Sequence, residues 1–162
     1  MQEPFRFTIY GRPATKKNSS RCFGGRILPS KAYCDYESRF HRQLMDMRKI
    51  MEVPHYSCPV SITCHYWLDS KRSFPDLIGL EQATADIISD VYKTDKTLHK
   101  KVLKREWILS DDRIIKNWDG SRIVGIDKER PRVEVTIRPL EVTEDEIDPY
   151  ILRQVEQKSR LF

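Results

Sequence analysis

The sequence predicts an α+β fold in a single domain: a small mixed β-sheet packed with two main helices, extended by a basic helical arm and a short C-terminal helix. Three observations predict it. Apolar residues alternate with period two in FRFTIYG, residues 5–11. They recur at spacings of three and four from Tyr33 to Met51 and again from Leu77 to Val91. β-Branched and aromatic residues fill PVSITCHYWL and PRVEVTIRPL, the composition of strands. With 162 residues the chain can bury about two-thirds of its unfolded surface, so no staples are needed for a core.

The first strand ends at Gly11 and Pro13. The stretch RPATKKNSSRCFGGRILPSK that follows is polar and punctuated by Pro and Gly-Gly, so it reads as a long loop or a loosely ordered hairpin. Tyr33, Tyr36, Phe40, Leu44, Met47 and Met51 form one stripe of an amphipathic helix beginning near Ser30. PVSITCHYWL carries apolar side chains on both faces, which suits a strand inside the sheet. A second helix runs from about Asp76 to Asp90 or beyond. In KTDKTLHKKVLKRE, residues 93–106, Leu98 and Val102 stand four apart, enough for a helical arm. DDRIIKNW and PRVEVTIRPL are strand-like, separated by the turn-rich WDGSRIVGIDKERP. Asp148 before Pro149 suits the start of a short terminal helix over YILRQVEQKSRLF. The organisation is thus one domain over residues 1–140, containing a basic loop (11–31) and a basic arm (93–106), then an acidic, partly helical tail over 141–162.

The formal net charge is +5, and its distribution is uneven. Between Gly11 and Lys31 there are six cations, Arg12, Lys16, Lys17, Arg21, Arg26 and Lys31, and no acid. The arm holds six cations against Asp95 and Glu106. The tail carries Glu141, Glu144, Asp145, Glu146 and Asp148. A loop with no local ion pairing to explain its charge points to phosphate binding by Arg12, Lys16, Lys17, Arg21 and Lys31, with Lys71 and Arg72 at the rim. No basic start with an apolar run opens the chain, and no eighteen consecutive residues are apolar, so an intracellular, soluble protein is expected. Cys22, Cys34, Cys58 and Cys64 lack C-x-x-C spacing, and the four His residues show no paired pattern; reduced, structural cysteines are expected.

Asp76 raises the central question. An Asp just before an apolar helical run is a favoured N-cap, worth about 1 kcal/mol, and periodicity alone favours that role. The other possibility is a metal ligand: Mg²⁺ takes only one or two carboxylates, with waters and a phosphate oxygen completing its shell. Asp111 and Asp112 open a predicted strand, where neighbours face opposite ways, so at most one of them shares a site with Asp76.

Four stretches then carry a resemblance: GRPATKKNSSRCFGGRILPSKAYCDYE, PDLIGLEQATADII, SDDRIIKNWDGSRI and PRVEVTI. In this order, from about Phe5 to Leu140, the chain resembles the RusA-type Holliday-junction resolvases, in particular their phage and prophage branch. The resemblance implies a homodimeric crossover junction endodeoxyribonuclease that nicks branched DNA symmetrically. It implies Mg²⁺ as cofactor, with Mn²⁺ as a substitute, no small-molecule cofactor, no membrane, and a setting inside a bacterial cell. Asp76 matches the first aspartate of the family's D-L-D-N motif, Asp112 the catalytic aspartate of its D-D pair, and Asp111 the neighbour. Metal ligation falls to Asp76 and Asp112. Ile78 stands where members have a second aspartate, Gly79 where they have Asn, and Gln82 where they have a catalytic lysine.

Asp86 lies ten residues beyond Asp76, about 15 Å along a helix, too far to share one ion, and reads as structural. Glu81 points away, and Asp69 is a geometrically possible third ligand. Trp107 and Trp118 read as core aromatics. The alternative function is a DNA- or junction-binding protein that keeps the fold and basic surface while its chemistry is weak or lost with Ile78 and Gln82.

Overall fold

In a computed structural model of the chain, the structure describes residues 2–16, 21–141 and 148–149, with the side chains of 21–23 outside that description. The elements run β1 (Phe5–Tyr10), β2 (Arg21–Phe23), β3 (Arg26–Leu28), α1 (Lys31–Arg48), β4 (Val60–Leu68) and α2 (Leu77–Ile88). They continue with β5 (Val91–Asp95), β6 (Lys100–Arg105), a 3-10 turn (Asp112–Ile114), β7 (Ile115–Asn117), β8 (Arg122–Ile126) and β9 (Arg132–Pro139). The architecture is α+β; among the described residues two helices lie on a five-stranded mixed sheet, with two separate hairpins, β2–β3 and β5–β6.

β9 lies between β1 and β4 and is antiparallel to both. β7 and β8 share the other edge of β4, both parallel to it: β7 meets Val60 and Ser61, and β8 meets His65 to Leu68. The interior position expected for β4 is therefore found. Its two faces differ, however. Ile62, Cys64, Tyr66 and Leu68 are buried, whereas Thr63, His65 and Trp67 are only half-buried. The apolar face continues through Phe7 and Ile9 of β1 and Val133, Val135 and Ile137 of β9. Against it pack Phe40 and Leu44 of α1 and Leu80 and Ile87 of α2.

α1 starts where its stripe predicts, with the Ser30 hydroxyl accepting from the Tyr33 N–H at 3.1 Å. α2 is shorter than expected, ending at Ile88, because Ser89 and Asp90 turn the chain to an extended course: Ser89 is extended, and Ile88 O accepts from the N–H groups of Ile108 and Leu109. Trp107 is buried in the core and Trp118 packs against it.

The basic arm is a correction. It is not a helix but the β5–β6 hairpin, in which Tyr92 pairs with Leu103 and Lys93 with Val102. The physical cause lies in the turn: Asp95 Oδ1 accepts from the N–H groups of Thr97 (2.8 Å) and Leu98 (3.0 Å), and His99 takes a left-handed φ of 49°. Leu98, half of the helical pair, thereby sits at the bend. A second correction concerns DDRIIKNW. Asp111 accepts from the Arg113 N–H at 2.9 Å and caps a 3-10 turn, which delays the strand to Ile115. The turn-rich segment after Trp118 contains β8. The expected C-terminal helix lies outside the described residues.

Candidate active site

α2 presents an outward stripe of Ile78, Gln82 and Asp86, each four residues from the next and all exposed, Ile78 at 63%. At its head stands Asp76. The residue has the extended backbone of an N-cap, and its carbonyl accepts from the Leu80 N–H at 3.2 Å, but its carboxylate makes no cap hydrogen bond. The carboxylate lies instead over Gly79, where any Cβ would overlap Asp76 Oδ1 and crowd Thr15. A side chain at residue 79 would fill this cradle, so Gly79 keeps the carboxylate's place open.

Asp111 caps the 3-10 turn that begins at Asp112, so neither lies on a strand, and the two neighbouring carboxyls act on each other's titration. Partial burial pushes Asp111 up, but the side-chain and backbone N–H groups of Arg113 and the neighbouring Asp112 prevail and hold its carboxyl down at about 2. Asp112 moves the other way, raised by partial burial, then by Asp111, then by the charge of Asp86. Asp86 also meets Lys16, whose ammonium is 3.6 Å from Asp86 Oδ2 and lies over the Tyr33 ring at 5.8 Å.

The carboxylates that raise Asp112 are thus Asp111 and Asp86, while the Asp76 carboxylate stands at the head of α2 beside Thr15 and Gly79. Asp86 is a member of this surroundings that its distance from Asp76 concealed. The signal available in the sequence was the i, i+4, i+8 stripe it shares with Ile78 and Gln82.

The predicted phosphate contacts divide. Arg12 is taken up internally: its guanidinium bonds Asp69, the Ser70 hydroxyl (3.1 Å) and the Arg72 carbonyl (2.6 Å), pinning the loop that leads to Asp76. That pairing also occupies Asp69, the possible third ligand. Lys31 pairs with Asp35 at 2.9 Å but remains exposed. Lys71 and Arg72 are exposed. Lys17 and the Arg21 side chain lie outside the described residues. Beside Asp76 opens a cleft of about 550 Å³, lined by Arg12, Thr15, Asp35, Arg39 and Phe74. Arg39 escaped the sequence reading because it belongs to α1; its guanidinium packs against Gly11.

Among the described residues no three His, Cys, Asp or Glu side chains converge into a metal cage. The exposed donors Asp76, Asp86 and Asp112 are all oxygen, the chemistry of a hard cation that retains most of its waters. Cys34, Cys58 and Cys64 carry free thiols, with burial pushing Cys64 up to about 12. No described helix is long and apolar enough to cross a membrane. Neither protein-family models nor curated proteins give a match to this chain.

Proposed function

We propose that the protein is a divalent-metal-dependent endonuclease acting on branched DNA as a homodimer. The observation that carries this reading is Asp76: a carboxylate in the N-cap position that is not used as a cap, exposed, in a space that Gly79 leaves free. An uncapped helix N-terminus also favours negative charge nearby, including a substrate phosphate.

In this function Asp76 and Asp112 would be the carboxylates that hold Mg²⁺, with Mn²⁺ as a substitute, and Asp86 and Asp111 set the charge around Asp112. The bound ion supplies an activated water and neutralises the leaving phosphate. Lys16, Lys17, Arg21, Lys31, Lys71 and Arg72 orient the DNA backbone. Two copies of one small domain, each with a single site, give the paired nicks that a four-way junction requires.

The test is cleavage of a synthetic four-way junction with and without Mg²⁺. Asp76→Asn is expected to abolish cutting while leaving junction binding intact; a variant that still cuts would reject the assignment. A second reading has one observation in its favour. Ile78 and Gln82 are exposed on the outward stripe of α2, where a ligand and a cation would stand in a strong nuclease. Tight junction binding without cutting by the wild-type protein would establish that reading instead.

A further inference from the structure

The β5–β6 hairpin projects from the domain without a core of its own. Both strands are exposed along almost their whole length, and Tyr92, Leu98 and Leu103 stand open to solvent. Its base is firmly held. Asp90, just before β5, accepts from the Trp107 N–H, just after β6, at 2.7 Å, and from the His55 ring at 2.9 Å. Tyr92 Oη donates to the carbonyl of Ser110 at 3.1 Å, next to Asp111. The ribbon therefore springs from the edge of the candidate site.

Among the described residues its charge has no internal use. Lys93, Lys96, Lys100, Lys101 and Lys104 form no ion pair among the described residues. The pairing puts Lys93 and Lys100 on one face and Lys101 on the other. Asp95, the one acid between the strands' ends, is spent on the turn. At the base, a groove of about 520 Å³ runs between α1 and β6, lined by Ser38, His41, Arg42, Lys104, Arg105 and Trp107 among others, and no carboxylate lines it.

We infer that the β5–β6 ribbon and the groove at its base grip double-stranded DNA flanking the candidate site. This inference rests on the proposed action on DNA. A two-stranded ribbon fits the major groove, about 12 Å wide, and cations on both faces meet the phosphates on both walls. Five paired positions reach about 15 Å at ~3.3 Å per residue, enough to cross that groove. Exposed Tyr92 and Leu103, paired across the strands, offer apolar contact to base edges and sugars.

The experiment measures affinity for a linear duplex and for a four-way junction across a salt series, in the wild-type chain and in a variant carrying Lys93→Gln, Lys100→Gln, Lys101→Gln and Lys104→Gln. Each phosphate contact removed should lower the slope of log K against log salt by about 0.9, so the slope falls by roughly two to four and affinity at least tenfold. The matching four Lys→Arg changes should restore both, and equal melting temperatures establish that all three proteins are folded. A glutamine variant that binds both DNAs as the wild type does would overturn the ribbon's role and leave the nuclease reading standing. Wild-type protein that binds neither DNA at low salt would remove both. Binding that depends on the lysines without any cutting would keep the ribbon and reject the nuclease.

Discussion

The carboxylate of Asp76 lies directly over Gly79, so close that a methyl group at residue 79 would overlap Oδ1. Gly79 is buried and in a helix, where alanine would otherwise gain about 1 kcal/mol from lower backbone entropy. Gly79→Ala is therefore expected to leave stability within about 1 kcal/mol of wild type, because the helical gain is offset by crowding against Asp76 and Thr15. Junction cleavage should fall more than tenfold as the carboxylate is displaced. Denaturant unfolding alongside a nicking assay reads both effects; unimpaired cutting would mean that the position of Asp76 does not matter.

Asp111 and Asp112 make opposite contributions to stability. Asp111 is held below its unfolded value, so its contribution is complete above the ordinary aspartate range and is lost as pH falls toward about 2. Asp112 is raised, so its contribution is present at acidic pH and is lost as pH climbs through its elevated value. Asp112→Asn should accordingly raise the melting temperature at pH 7. The gain should stay below about 1 kcal/mol at this partly exposed site and shrink toward pH 3. Melting curves at the two pH values decide it; a variant less stable at pH 7 would contradict the crowding of Asp112 by Asp111 and Asp86.

Arg12 ties Asp69, Ser70 and Arg72 into one loop, and the next residues deliver Asp76 to α2. Arg12→Ala should cost about 1.5–3 kcal/mol, the range for hydrogen bonds to a charged group. Arg12→Lys should recover little, since one ammonium cannot reproduce the planar fork. Because the guanidinium is already occupied, the salt dependence of DNA binding should be unchanged in both variants. A slope reduced by about one would return Arg12 to the phosphate contacts.

Elements whose signals are local were legible in the sequence. α1 shows both its stripe and its cap, β1 alternates Phe5, Phe7 and Ile9 with other residues, and β4 and β9 show long runs rich in β-branched residues. The arm misled because Leu98 and Val102 have helical spacing, while the information that folds it is one Asp95 side chain bonding two backbone N–H groups at a bend. β8 was hidden by the Asp119-Gly120-Ser121 turn before it and by Gly125 within it. In the site, the place of Asp76 at the head of α2 could be read, but not that its carboxylate would leave the helix uncapped. The carboxylate lies instead over Gly79, which has no side chain, near Thr15, distant in the chain. That the charge of Asp86 acts on Asp112 was not legible either, because it depends on two segments distant in the chain that the fold joins at the Ser89–Leu109 bridge.

Divalent ions should stabilise the folded chain in proportion to their binding. A ligand that binds only the native state adds RT ln(1 + [L]/Kd), about 2.7 kcal/mol at a hundredfold excess over Kd. Millimolar Mg²⁺ should therefore raise the melting temperature of the wild-type protein, while Ca²⁺, larger and less demanding of octahedral geometry, should do so as well without supporting cleavage. Asp76→Asn and Asp112→Asn should each lose most of the Mg²⁺ response. Because Asp112→Asn also relieves repulsion at neutral pH, its melting temperature without metal should start above wild type and then fail to rise. Melting scans over a Mg²⁺ series at constant ionic strength separate this specific response from general screening of the acidic residues. A rise of equal size in all three proteins would show that Mg²⁺ acts elsewhere on the surface and would take Asp76 and Asp112 out of the metal site.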